Sequence, residues 1–549
     1  MPDLKPSPAE NLKSQSRRLR GTIAEELQTE SPQFSKPAVG LLKFHGIYQQ
    51  DDRDLRKSQP DRVYSSMVRI GIPGGLVSSK QYLELDRLAG EVGDETLRIT
   101  SRQDVQYHYV GKRNLKTLIR AVNEAGLSTL AACGDVVRNV TYDSTPVAAP
   151  HRADIMEYVR LVACALKPKS RAYVEIWLDG EKAASIEEES EPLYGDAYLP
   201  RKFKIAFTFP GENLIDIYSN DLGFVPRVGN GEVQGFTVLA GGGMGQSNGV
   251  KLSHPRMADP VCSIGPSKEE VLAMAKAVVS IHRDFGNRSN RRLARLKYVL
   301  DERGLDWFKT ELSSRLGAPL APSEPLSWRR QEDYLGWNEQ AGGGWFYGLR
   351  VISGRLKGAI RAAVREVVEA TGCDVRFTVQ QNLLFTGLNE DQRTIVDQAL
   401  ARHGVADVKA LPPVLRQSMA CPALPTCGQA ITESERVLPS LAEGIQAELN
   451  AAGLGEQPVV LRMTGCPNGC ARPYTAEIGI VGESVELYTI YLGGSPVADR
   501  LARPWKRLVK LGEIPAILRP LMNEYKSTRT PGEPFGDWCA RSLELGSYS

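Results

Sequence analysis

LRITSRQDVQYHYV, residues 97–110, and VRFTVQQNLLFTGL, residues 375–388, carry one pattern, R-x-T-x-x-Q-(D/N). Arg98, Thr100, Gln103 and Asp104 satisfy it in the first stretch, and Arg376, Thr378, Gln381 and Asn382 in the second. Each stretch reads as a strand, and each closes the same series of elements. Before the first come MVRIGI (67–72), a Pro-Gly-Gly turn, and a helix opening near Ser78 and Ser79 with Leu83, Leu88 and Ala89 inward. Before the second come YGLRVISG (347–354) and a helix from about Arg355, with Leu356, Ile360, Val364, Val367 and Val368 on one face and Gly372 at its end. The separation is far longer than any solenoid repeat, so the pattern predicts a duplication into two similar α/β halves that pack together.

Outward from these halves, the chain reads as several domains, because 549 residues exceed one core and suggest about three or four. Residues 1 to about 40 are polar and Pro-rich, and predict an arm lying on the surface or on a partner. Residues 150–320 mix strands (YVEIWL, FKIAFTF, GFTVLAGGG) with a basic helical stretch from about Lys268 to Leu300, and predict a central domain. GAPLAPSEPL (317–326) has the Pro density of a boundary. Hydrophobic residues make up 42% and charged residues 24%, which excludes wholesale disorder. Lys plus Arg number 68 against 65 Asp plus Glu, too even a balance for nucleic acid as the main partner. No apolar run reaches the roughly 18 residues of a membrane span, and MPDLKPSPAENLKSQSRRLR has no signal-peptide core, so the expected location is cytoplasmic.

In a reducing compartment the nine cysteines are not expected to form a disulfide framework. Four of them cluster: Cys421 and Cys427 in CPALPTC, Cys466 and Cys470 in CPNGC. The neighbouring Pro and Gly favour turns whose backbone N–H groups can point at cluster sulfurs. Four thiolates suffice for one cubane. A zinc site usually spaces its pairs two to four residues apart, closer than the first pair here. Four unrelated buried thiols are the other reading.

SMACPALPTC and RMTGCPNGCAR resemble the signature of the sirohaem-containing sulfite and nitrite reductases. LRGTIAEEL (19–27), LLKFHGIYQQDDRD (41–54), TSRQDVQYH, AYVEIWLDGEK (172–182), YLPRKFK (198–204) and RDFGNRSNRR (283–292) resemble the sulfite reductase haemoprotein in the same order, nearly end to end. The resemblance implies an α/β (α+β) three-domain fold with a pseudo-two-fold duplication of ferredoxin-like halves. The expected division is an arm (1–50), a first half (51–135), a central sirohaem and substrate domain (136–320), a second half (335–410) and a C-terminal cluster domain (411–549). It further implies that Cys421, Cys427, Cys466 and Cys470 bind a 4Fe-4S cluster and that Cys470 also bridges to the sirohaem iron. The activity implied is the six-electron reduction of sulfite to sulfide. Ferredoxin-nitrite reductase and a non-catalytic iron-sulfur carrier are the rivals.

Sulfite is an anion and sirohaem carries carboxylates, so the site must gather cations. On the family pattern, Arg69, Arg138, Lys202 and Lys204 surround the open face of the iron. Lys202 and Lys204 alternate on an extended segment, which points both to one side and Phe203 away. Together they neutralise an anion and lower each other's pKa, which eases proton donation. Family members acting mainly on nitrite tend to carry Asn where Lys204 stands. Arg98, Arg102, Gln106 and His108 alternate along LRITSRQDVQYHYV and are expected on one face. With Asn139, Arg201, Gln381 and Asn468, they form the expected cofactor-binding set. The electron donor is expected to be a separate protein, since GGGMG (241–245) fails the dinucleotide-binding spacing. LRGTIAEEL resembles the NADPH type, whose partner is a flavoprotein, and basic patches would equally suit a ferredoxin.

Overall fold

The computed structural model describes residues 5–59, 61–147, 152–169, 175–178, 181–185, 191–329 and 333–548. Of AYVEIWLDGEK only Glu175–Leu178 and the start of Glu181–Ser185 are described, as an antiparallel ribbon; the rest of that motif lies outside the described residues.

Neither member of the R-x-T-x-x-Q pair is one strand. Leu97–Ile99 and Val105–Val110 are separate antiparallel strands joined by a tight turn, as are Asp374–Phe377 and Leu383–Leu388. Thr100 closes the first turn: its Oγ1 accepts from the N–H of Arg102 (3.2 Å) and Asp104 (3.1 Å), while its N–H donates to Asp104 O (2.8 Å). Thr378 repeats this with Asn382 (3.0 Å). Gln103 and Gln381 turn left-handed, φ +61° and +66°, where an extended strand cannot continue. Arg98 therefore lies across from Gln106, and Arg102 leaves from the turn instead of sharing a strand face with Gln106 and His108.

The helices are matched too. Ser79–Val92 starts in a capping box, Ser78 Oγ accepting from Gln81 N (3.3 Å) and Gln81 Oε1 from Ser78 N (3.0 Å), and it buries Tyr82, Leu85, Leu88 and Ala89, with Leu83 half-buried. Its counterpart is Gly358–Thr371. That helix begins later than Arg355 because Arg355–Leu356 is instead a short strand on the first half's sheet, paired with Arg98 and Leu97. Leu76–Val77 reciprocates on the second half, against Arg376 and Val375. The halves thus exchange edge strands, giving two five-stranded sheets. Gly75 and Gly354 permit the crossing: a Cβ there would lie 2.2 Å from Phe377 O and 2.1 Å from Ile99 O.

The duplication extends further than the sequence pattern suggests. Thr141–Tyr142, Ile205–Phe207, Leu222–Gly229, Glu232–Ala240 and Asp259–Ile264 form a sheet paired parallel, parallel, antiparallel, antiparallel. Ser418–Ala420, Leu461–Thr464, Ile478–Ser484, Leu487–Leu492 and Arg503–Lys510 repeat that order and those directions. Each sheet is tied to its half by a turn glutamine: Gln103 exchanges hydrogen bonds with the backbone of Tyr142 (2.8 and 3.0 Å), and Gln381 with that of Ala420 (2.9 and 3.3 Å).

One large apolar core joins both ferredoxin-like halves and the central sheet, and the C-terminal sheet has its own, including Ile445, Leu461, Ile480 and Trp538. The N-terminal stretch, expected as a surface arm, contributes Leu19, Ile23, Leu41 and Leu42 to the larger core. Each such side chain is worth about 1.5–3 kcal/mol of burial, which outweighs the polarity of its neighbours. Lys13 Nζ, donating to Leu199 O (2.6 Å), fastens the stretch to the central domain. The expected long basic helix is broken: Lys268–Phe285 ends at Gly286, and Leu296–Arg303 follows.

Candidate active site

Parallel neighbours bring the cysteine pairs together. Ser418–Ala420 and Leu461–Thr464 run side by side, so Cys421 and Cys466 leave the same edge of the sheet. The loops beyond them turn N–H groups onto sulfur: Gly465 N donates to Cys421 Sγ (3.4 Å), Asn468 Nδ2 to Cys466 Sγ (3.5 Å), and the amides of Gln429 and Ala430 approach Cys427. Burial first, and then the nearness of Cys470, pushes the thiols of Cys421, Cys427 and Cys466 up, Cys466 to about 12. Such a set holds thiolates only against a strong compensating positive charge, and its donors suit an iron-sulfur cube. Among the described residues no three His, Cys, Asp or Glu side chains converge closely enough for one ion. The GGGMG loop supports the last pair: Gln246 N donates to Pro467 O (2.9 Å), and buried Lys297 donates to the carbonyls of Gly243 (3.1 Å) and Gly245 (2.8 Å).

Cys470 differs from the other three in being exposed, and it lies near the cations Arg69, Lys202 and Lys204. Its charge is felt by Arg69, Lys202 and Lys204 as well as by the three thiols. Lys202 and Lys204 are half-exposed while Phe203 between them is fully buried, as alternation predicts. The surrounding walls lower the Lys202 ammonium to about 7, burial contributing most and Arg201 next; Lys204 falls well below the usual lysine range through burial and then Lys202. Arg69 donates to the Gln106 amide oxygen (2.7 and 3.2 Å) and stands 4.0 Å from Asp104. Arg138 is fixed by the carbonyls of Gly134 (2.8 Å) and Ala132 (3.3 Å).

The remaining expected residues divide. His108 is buried with both ring nitrogens lacking partners, and burial, then Arg355, Arg98 and Arg69, hold it neutral. An orphaned imidazole among arginines fits a carboxylate-bearing ligand. Arg201 stands 3.8 Å from Asp135 and borders Lys202. Arg98 is committed to Glu435 (2.9 Å) and Ala420 O (2.9 Å). Arg102 reaches Asn220 Oδ1 (3.0 Å) and Asn139 O (2.5 Å), leaving its Nε without a partner. Asn139 spends its amide on Ile72 O and Arg102 O. Gln381, in the second turn, binds the backbone of Ala420 on the strand that leads to Cys421.

Two residues that sequence reasoning missed set the lysine segment. Asp221, fully buried, accepts from Lys204 N (2.8 Å) and from Arg295 through both oxygens (3.0 and 2.7 Å). Nothing in the local pattern marks Asp221, which lies in SNDLGF with no spacing to RKFK that signals contact.

The register of the two sheets identifies a cleft as the counterpart of the Cys470 surroundings. Leu222 N donates to Lys204 O as Ile478 N donates to Val460 O, so Val460 corresponds to Lys204. Counting along the matched strands, Leu214 corresponds to Cys470 and Arg416 to Arg138; Leu214, Val460, Arg416, Gln417, Gln380 and Asn382 line one cleft.

Residues 159–320 match the family described as nitrite and sulphite reductase 4Fe-4S domain, and residues 57–125 and 338–403 match the nitrite/sulfite reductase ferredoxin-like half domain. The chain is 43% identical over 552 residues to the sulfite reductase (NADPH) hemoprotein beta-component of Myxococcus xanthus, covering 98% of this chain and 97% of the relative. It is 43% identical over 559 residues to the sulfite reductase (ferredoxin) of Synechococcus elongatus, covering 97% and 89%. The solved structure of the Mycobacterium tuberculosis NirA protein superposes with a TM-score of 0.79 at 24% identity, covering 98% of this chain and 97% of that one, and so shares the fold. Similarity of this depth, sustained from end to end over a chain whose halves repeat one another, places the protein in the sulfite reductase haemoprotein family of nitrite and sulfite reductases.

Proposed function

We propose that the protein reduces sulfite to sulfide, S(IV) to S(−II), taking six electrons from a separate donor protein. The observation that carries this reading is the nearness of an exposed thiol from a four-cysteine set to two lysines whose side chains make no hydrogen bond or ion pair among the described residues. Sirohaem and a 4Fe-4S cluster, when bound, supply an electron-rich iron and the route for electrons to it. Cys421, Cys427, Cys466 and Cys470 would hold the cluster, and Cys470 would lie between it and the sirohaem. His108, Gln106, Arg102 and Arg201 face the cofactor, and Asn468 orients the Cys466 thiolate.

Arg69, Arg138, Lys202 and Lys204 bind the oxyanion. The two arginines keep their charge and clamp it in place. The lysines, whose ammonium forms are disfavoured by burial, are stabilised by a bound anion and give up protons as oxygen leaves as water. Asp221 and Arg295 hold the backbone that carries them. The proposed domain limits are an N-terminal segment 1–50, which packs on the core and ends in the strand Ile47–Asp51 of the first half's sheet, first half 51–135, central 136–320, second half 335–410 and cluster domain 411–549. NADPH, through a flavoprotein subunit, or a ferredoxin is the source of electrons, matching the two types of relative. The absorption spectrum of the purified protein, with iron and acid-labile sulfide counted, tests the reading together with sulfide release from sulfite under a chemical reductant. A colourless protein, or kcat/KM for nitrite far above that for sulfite, overturns it. No helix among the described residues is long and apolar enough to cross a membrane.

A further inference from the structure

Arg472 and Asp216 occupy matching places in the two halves. Arg472 follows Cys470 by two residues and Asp216 follows Leu214 by two. Each is left-handed, φ +55° and ψ +49° against φ +51° and ψ +58°, and each opens a 3-10 turn, Pro473–Thr475 or Ile217–Ser219. Those turns lead into the matching strands Ile478–Ser484 and Leu222–Gly229. Counterparts related by a two-fold can touch one another only at its axis. These two do: Arg472 Nε donates to Asp216 Oδ2 (2.5 Å).

The other nitrogens of the guanidinium keep the symmetry. Arg472 Nη1 donates to Ser101 O (2.9 Å) and Nη2 to Val379 O (3.2 Å), and Ser101 and Val379 are themselves counterparts, each following the threonine of its turn. One side chain therefore grips both ferredoxin-like halves at the axis. Arg462 supports the pair from the strand before the cluster loop, donating to Asp216 Oδ1 (3.2 Å), Asp216 Oδ2 and Thr475 Oγ1 (2.9 Å). On the Cys470 side Ser101 Oγ donates to Cys470 O (2.9 Å). The Cys470 loop is thus fixed at its own carbonyl and again two residues later. Arg472 and Asp216 are 6% and 1% exposed, and breaking a charge pair so deeply buried leaves an uncompensated charge, so the pair constrains the partners that hold it.

We propose that Arg472, held by Asp216, is the positioning residue for Cys470, fixing that one thiolate where it faces the cations and the other three cysteines together. The proposal rests on the sulfite reductase reading with Cys470 as shared ligand. It also explains why a symmetric axis carries unlike charges: an arginine on the Cys470 side reaches across to an aspartate on the Leu214 side, so only one orientation is satisfied.

The test uses the loaded enzyme with a chemical reductant, so that donor docking plays no part. Arg472→Lys keeps the charge opposite Asp216 and loses the fork to Ser101 and Val379. It is expected to retain iron and both chromophores, to show weakened magnetic and optical coupling between haem and cluster, and to lose about tenfold in kcat with KM for sulfite within about twofold. Ser101→Ala is expected to move the same coupling signal in the same direction with a smaller loss, about threefold. A lowered Tm with wild-type coupling and wild-type kcat per haem in Arg472→Lys overturns the proposal; if that variant fails to load, unaltered coupling in Ser101→Ala overturns it. Absence of coupled chromophores in the unmutated protein would instead sink the functional reading itself.

Discussion

The surroundings of Cys470 and the cleft at Leu214 are built on matching strands in the same register, and differ at nearly every matched side chain. Where one presents Cys470, Lys204, Lys202, Arg69, Gln106 and His108, the matching positions of the other hold Leu214, Val460, Pro458, Gly348, Leu384 and Thr386. Even the retained cation is spent: Arg416 forms an ion pair with Asp333 (2.6 Å), whereas its counterpart Arg138 meets only carbonyls among the described residues. The cluster loops show the same contrast, Asp143 and Pro210 standing where Cys421 and Cys466 do. The lesson is that the duplicated fold supplies two clefts, and charge with thiolate chemistry decides which becomes a site.

That comparison breaks most simply at its sulfur. Cys470→Ser is expected to reduce sulfite turnover to background and to uncouple the two chromophores, while Leu214→Ala leaves kcat within about twofold. Parallel spectra and sulfide assays on both variants check it; equal damage at the two positions would mean the second cleft takes part in the reaction. The lysines come next. Lys202→Ala is expected to lose about 100-fold in kcat with the haem spectrum retained, against a change within about twofold for Val460→Ala on the other side.

The part of this comparison legible in the sequence is the part that polar chemistry fixes. R-x-T-x-x-Q survives in both halves because a threonine must close each turn and a glutamine must reach a neighbouring backbone, so the ferredoxin-like duplication could be read from residues 97–110 and 375–388. The paired outer sheets could not: IAF and LRMT, or LGFVPRVG and IGIVGES, share only the demand for apolar volume, which many sequences meet. The hairpin break was missed because alternation of polar residues passes unchanged through a turn. The strand exchange left no mark either, since Arg355–Leu356 chooses the other half's sheet by tertiary pairing alone. Cys421, Cys427, Cys466 and Cys470 stood out by spacing, while Arg472 and Asp216 could not, an arginine and an aspartate having no pattern in common.

Substrate preference sharpens the contrast between the clefts at smaller amplitude. Lys204→Asn replaces one of the two unpartnered ammonium groups by a neutral amide and brings the position nearer to Val460. The ratio of kcat/KM for sulfite to that for nitrite is expected to fall about tenfold, because the more highly charged anion loses more from the missing charge. Steady-state kinetics with both anions decide it, and an unchanged ratio would remove Lys204 from selectivity.

The smallest expected effects separate what the halves still share from what they do not. Gln103 donates to Gly74 O (3.1 Å), Tyr142 O (2.8 Å) and Phe377 O (2.9 Å), the last in the opposite half, whereas the Gln381 side chain serves, among the described residues, Ala420 alone. Leaving those buried carbonyls unpaired costs about 1–3 kcal/mol, so Gln103→Ala should lower Tm at least as much as Gln381→Ala. Iron content should respond the other way: Ala420 precedes Cys421, so Gln381→Ala loosens a cluster ligand, and Tyr142 precedes Asp143, so Gln103→Ala does not. Iron and acid-labile sulfide measured beside thermal melts distinguish the two. Loss of iron in Gln103→Ala with full retention in Gln381→Ala would show that the turn glutamine on the metal side does not brace the cluster strand.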